Sequence, residues 1–167
     1  MKKLSANGMR WLKFFHLIAV SSWIGGCIAL LFLYFLKTDV SDGSILYGIN
    51  QSIHHVDMWV VVMPGAFGCL ATGLVYSLFT NWGFFKHIWI VLKWIITLAA
   101  IVSGTVLLGP WENNMLELSR RLGINALTDP TYVFSEKMNF IFGLIQFAML
   151  VFAAYLSVFK PWKGKTK

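Results

Sequence analysis

With 167 residues, of which 57% are hydrophobic and only 13% charged, the chain has too little polar surface to enclose a water-soluble core, so a bilayer is its natural solvent. A net charge of +7 does not point to nucleic acid, because the basic residues cluster beside the apolar runs and no aromatic and basic stripe or binding motif accompanies them. Their expected partner is the anionic lipid surface. The two cysteines, Cys27 and Cys69, fall inside apolar runs without paired spacing, so neither a disulfide framework nor a zinc site is expected.

Met1-Lys2-Lys3 ahead of an apolar run resembles a secretory signal, and Trp23-Ile24-Gly25-Gly26-Cys27 resembles a lipoprotein cleavage box. Residues 28–36 stay apolar beyond that point, so the run is read as a membrane span instead. Four spans are expected, at about 11–36, 55–79, 87–109 and 135–159, each long enough to cross ~30 Å of hydrocarbon. Small residues four apart mark packing faces in the first three: Ser22 and Gly26; Gly65, Cys69 and Gly73; Ala100 and Gly104. Pro64 is expected to kink the second helix. Between the third and fourth spans, 110–134 reads as the one long loop. It holds a short interfacial helix capped by Asn114 with Glu117 three residues on, with Met115, Leu118 and Leu122 on one face and Gly123 at its end.

The fold expected is therefore all-α: a single transmembrane domain, 1–167, built as an up-down-up-down four-helix bundle. Lys2, Lys3, Arg10, Lys13, Lys86, Lys160, Lys163, Lys165 and Lys167 flank one side, against Lys37, Arg120, Arg121 and Lys137 on the other. That asymmetry places both termini in the cytoplasm of a multi-pass protein of the cytoplasmic (inner) membrane.

Placing an ionisable side chain in hydrocarbon costs about 3 kcal/mol, which makes each such residue a functional candidate. His16 lies ~7 Å below Trp11 on the first helix, and Lys93 lies at comparable depth on the third. His87 marks the start of that helix, ~120° around the axis from Lys93. Imidazole is a good axial ligand for haem iron, and glycine faces beside His16 admit a flat ring, so Gly26 and Trp23 join His16, Lys93 and His87 as candidate cofactor contacts. Lys93 or Lys13 is placed to meet a propionate. Toward the outer side, His54, Asp57 and Met58 share a helical face and form an alternative copper or zinc site, with Glu136 or Glu112 in support. His54 and His55 point ~100° apart and cannot together hold one haem from the same helix.

The first helix, Trp11-Leu12-Lys13-Phe14-Phe15-His16-Leu17-Ile18-Ala19-Val20 with Trp23-Ile24-Gly25-Gly26, resembles the opening of HemJ-type protoporphyrinogen oxidases and of CopD-type copper-resistance membrane domains. Met63-Pro64-Gly65 leading to Thr72-Gly73-Leu74, Lys93, and Asn139 with Lys160-Pro161 are similar to later HemJ segments, and a predicted-membrane-protein family of unknown function shares the plan. The resemblance implies a four-helix bundle binding haem b, with His16 as ligand and Lys93 as its partner. The outer loop after the first helix lacks that family's histidine and arginines, which weighs against protoporphyrinogen as substrate. The function expected is electron passage within the membrane, an oxidoreductase role using a quinone or a porphyrin-like small molecule. The alternatives are a CopD-like metal-handling component and a non-catalytic subunit of a homo-oligomer or larger complex.

Overall fold

The computed structural model describes residues 3–161; residues 1–2 and 162–167, with Lys2, Lys163, Lys165 and Lys167 of the basic flank, lie outside the described residues. Every regular element among the described residues is helical, and four helical runs are long and apolar enough to cross a membrane. Between 11% and 22% of each run's most apolar window is buried inside the bundle, so most of its hydrophobic surface faces outward, as lipid contact requires.

The first run is α1 (Ala6–Phe35), begun by Ser5, whose hydroxyl accepts from the Gly8 N–H. The second is continuous from Gly43 to Phe79: α2 (Gly43–Val56), a π-helical stretch (Asp57–Phe67) and α3 (Gly68–Phe79). The third joins α4 (Ile88–Ser103), a second π-helical stretch (Gly104–Leu108) and α5 (Gly109–Leu122), and closes in a 3-10 turn (Gly123–Thr128). The fourth is α6 (Pro130–Phe159).

Four boundaries differ from the sequence expectation. The first helix begins at Ala6 behind the Ser5 cap and not near Trp11. The second helix starts at Gly43 and not near His55, because Asp42 caps it: its carboxylate accepts from the N–H groups of Ser44 at 2.6 Å and Ile45 at 3.3 Å. The segment expected as a loop over 110–134 is mostly helix in unbroken continuation of α4. Pro110 sits in the first turn of α5, and the wider π turn just before it accommodates a residue with no N–H to give. Asn114 is consequently mid-helix, its amide reaching Ser135 Oγ at 3.4 Å, whereas Gly123 does end the helix, at φ 57°. Asp129 and Pro130 start α6 five residues early by the same cap-and-proline chemistry, with Asp129 accepting from Thr131 and Tyr132. Pro64 likewise falls within a π-helical stretch.

Two cores result. In the membrane part, Ala19, Trp23 and Cys27 of α1 pack on Val61, Ala66 and Cys69, with Ala100 and Leu150 completing the cluster. Glycines make this approach close: a methyl at position 26 would stand 2.5 Å from Val61 Cγ2, and one at 65 would stand 2.9 Å from the Trp23 Cα. The second core, Leu46, Met115, Ala126 and Tyr132, joins α2, α5, the 3-10 turn and the start of α6 beyond the apolar windows. At 37 residues, the Gly43–Phe79 run extends about 55 Å, well past the ~30 Å that hydrocarbon demands, and the surplus builds this second storey.

Candidate functional site

The chemistry-bearing residues fall at two ends of the bundle. At the first, His16 lies on the same stripe of α1 as buried Leu12, Ala19 and Trp23, and its Nδ1 stands 2.7 Å from Thr72 Oγ1 on α3. The Thr72 hydroxyl has one proton, and its oxygen lies 2.5 Å from the Gly68 carbonyl and 3.3 Å from that of Cys69. A carbonyl only accepts, so the hydroxyl proton goes to the backbone and His16 Nδ1–H donates to Thr72. In a neutral ring this is the Nδ1–H tautomer, whose lone pair is on Nε2.

A chain of aromatic rings leads away from that imidazole. Tyr76 meets it edge-on at 5.6 Å, Trp82 stacks on Tyr76 at 5.3 Å, and Trp89 meets Trp82 at 5.6 Å. His87, at the start of α4, stacks on Trp89 at 6.0 Å, and the Lys93 ammonium lies 6.0 Å from the centre of the same indole. Lys93 also stands within Coulombic reach of His16, so these two intramembrane groups belong to one locality. The Lys160 ammonium lies 5.6 Å from the centre of the Trp82 ring.

Gly26 and Trp23 are engaged elsewhere. They lie about 15 Å and 10 Å along α1 from His16, filled respectively by Val61 and by the backbone approach of Gly65. As a haem site, the His16 donor set fits, since an anchored imidazole with a free Nε2 is what an axial ligand needs. The glycine faces do not fit, because neighbouring helices occupy them. A macrocycle held by His16 Nε2 would lie at this end and not on the Gly26 face, which Val61 fills.

At the second end, His54 Nδ1 and Glu112 Oε1 share a proton at 2.9 Å, joining α2 to α5. Asp57 stands within Coulombic reach of Glu112, and both carboxyls line a cavity of about 450 Å3 together with Met58. His55 is exposed. Among the described residues there is no group of three His, Cys, Asp or Glu side chains that could hold a metal ion.

Close by is a group that hydropathy alone hides. Lys37 is only 5% exposed, and its ammonium contacts Glu136 at 2.6 Å, Asn50 Oδ1 at 3.5 Å and Met115 Sδ at 3.7 Å, flanked by the faces of Tyr34 and Tyr132. Asn50 in turn donates to the Tyr132 hydroxyl at 3.1 Å. Burial pulls the Lys37 pKa below its ordinary 10.5, and the Glu136 carboxylate acts in the opposite sense. With its partners in place, this group ties α2, α5 and α6 to the end of α1. Its role is structural.

The chain matches no family model, no curated protein and no solved structure.

Proposed function

We propose that this is a multi-pass protein of the cytoplasmic membrane, an up-down-up-down bundle with both termini cytoplasmic and the Lys37 end outside, that binds haem b through His16 Nε2 and passes electrons within the membrane. The observation that carries the reading is the His16, Thr72 and Gly68 chain of hydrogen bonds. It orients one imidazole and, in the neutral ring, puts the proton on Nδ1 and leaves Nε2 to bind a metal, the kind of hydrogen bond that holds histidine ligands in place. Lys93 supports it as the nearby cation for a propionate. Haem would supply one-electron chemistry; the chain's own part is to hold the ligand nitrogen, position a cation and keep the ring at a fixed depth.

A reduced-minus-oxidised absorption spectrum of the purified protein tests it. A Soret and α-band shift that disappears in His16→Ala is the expected result, and Thr72→Val, which frees the tautomer, is expected to weaken haem retention about 10- to 100-fold. A protein with no such bands and no extractable porphyrin would end the haem reading.

A further inference from the structure

The cavity at the Lys37 end is distinct from the His16 locality, and four independent features converge on it. Its volume of about 450 Å3 is in the range of roughly 300–1,000 Å3 typical of small-molecule sites. Both π-helical stretches of the described chain contribute to its wall, through Asp57 to Phe67 on one side and Gly104 to Leu108 on the other; such turns gather at functional sites.

The glycines here behave unlike those of the core. A methyl at position 143 would meet nothing within 4 Å, and one at 104 would meet only Gln146 Nε2, at 3.9 Å. Glycine in a helix interior is destabilising relative to alanine, so two that fill no close contact, both lining one cavity, keep space open. Finally, Trp23 and Gln146, which are 2% and 6% exposed, both line the cavity while Trp23 Nε1 and Gln146 Oε1 have no partner in the protein. Unpaired polar atoms at membrane depth are costly, and they point to a ligand that pairs them.

The lining specifies the chemistry of that ligand. Acceptors and donors both line it: Gln146 Oε1 and the Asp57 and Glu112 carboxyls accept, Trp23 Nε1 and the Gln146 amide N–H groups donate, and Asn139 gives one amide N–H to the Leu108 carbonyl at 3.1 Å. A hydroxyl can donate to Gln146 and accept from Trp23, whereas an alkylammonium has no lone pair for the indole and an anion would meet the carboxyls. The rings of Tyr34 and Phe140, stacked at 4.2 Å on the cavity wall, suit a flat partner. Met63 and Phe67 at the rim are half-exposed on the surface that faces lipid, so entry is sideways from the bilayer.

We infer that this cavity binds a neutral, lipid-soluble hydroxylated ring of the hydroquinone class, held between Trp23 Nε1 and Gln146 Oε1. The test is calorimetric titration of the full chain in nanodiscs under argon, with empty nanodiscs as blank. The probes are tetramethylhydroquinone, its hydroxyl-free counterpart durene, and dodecylammonium. Saturable hydroquinone binding is expected, with durene weaker by about tenfold or more because it leaves both polar atoms unpaired. Gln146→Leu and Gly143→Leu, which remove the acceptor and fill the space, are each expected to weaken hydroquinone binding by a similar factor. Equal binding of hydroquinone and durene, tighter binding of dodecylammonium, no saturable heat above the blank, or a folded Gln146→Leu that binds like the parent each overturns the inference. The probe comparison on the unaltered chain decides even if both variants fail to fold. A preparation without haem bands that still binds hydroquinone would remove the His16 reading and leave this one standing.

Discussion

At the Lys37 end a charged side chain is enclosed by a carboxylate, an amide, a thioether and two aromatic faces; at the His16 end an imidazole has a single hydrogen bond and one edge-on ring, that of Tyr76. The first arrangement satisfies its group with atoms of the chain itself. The second leaves Nε2 unused. The difference teaches that the cost of an ionisable group near lipid does not by itself mark function: what marks it is bonding capacity left over after the fold has formed. By that measure Lys37 is architecture, while His16 Nε2, Trp23 Nε1 and Gln146 Oε1 are open positions.

The sharpest way to break the contrast is to remove Lys37. Lys37→Met leaves the partly buried Glu136 without its cation and is expected to lower stability by about 3 kcal/mol, read by denaturant titration in detergent, with most of it recovered in the Lys37→Met, Glu136→Leu double variant. A single variant as stable as the parent would show that the ion pair is idle. Next in size come the glycines. Gly26→Ala forces a methyl onto Val61 and is expected to cost about 1–3 kcal/mol, relieved by Val61→Ala. Gly143→Ala, with open space before it, is expected to be neutral or to stabilise by up to ~1 kcal/mol.

The smallest effect is at the α2 cap. Asp42 accepts from Ser44 and Ile45, which holds its carboxyl below the ordinary 3.8. A depressed folded pKa means that the contribution is complete above 3.8 and fades as pH falls through the lower folded value. Thermal midpoints of the parent and Asp42→Ala should therefore differ at neutral pH and converge in acid, whereas Asp42→Asn, which caps without titrating, should show no such convergence.

Much of this was legible in the residues. Long apolar runs announce the four spans because hydrophobic length is a direct physical requirement of the bilayer, and Gly26 and Gly65 announce close helix contact for the same reason. The extension of α2 back to Gly43 was written in Asp42-Gly43-Ser44 but overshadowed by Asn50, Gln51, Ser52 and two histidines, whose polarity reads as loop when only hydropathy is followed. At Gly109-Pro110 the usual stop signal misled, since a π turn lets the helix run through it. His16 stands out in the sequence as a histidine inside an apolar run. Its hydrogen-bond partner is Thr72, 56 residues away, and the cavity is lined jointly by Trp23 of α1 and Gln146 of α6. Such pairings arise only once helices dock, and no periodicity within one helix encodes them.

The winding of residues 57–67 has a reach beyond its own walls. A helix that bonds i to i+5 advances its side chains around the axis at a slower rate than an ordinary one, so every position after Phe67 inherits an azimuth set by that slower advance. Thr72 and Tyr76 point at His16 because of how the chain was coiled one storey away. The two ends are therefore geared to one another through a single rod, and any change in its pitch would be felt as rotation at the histidine.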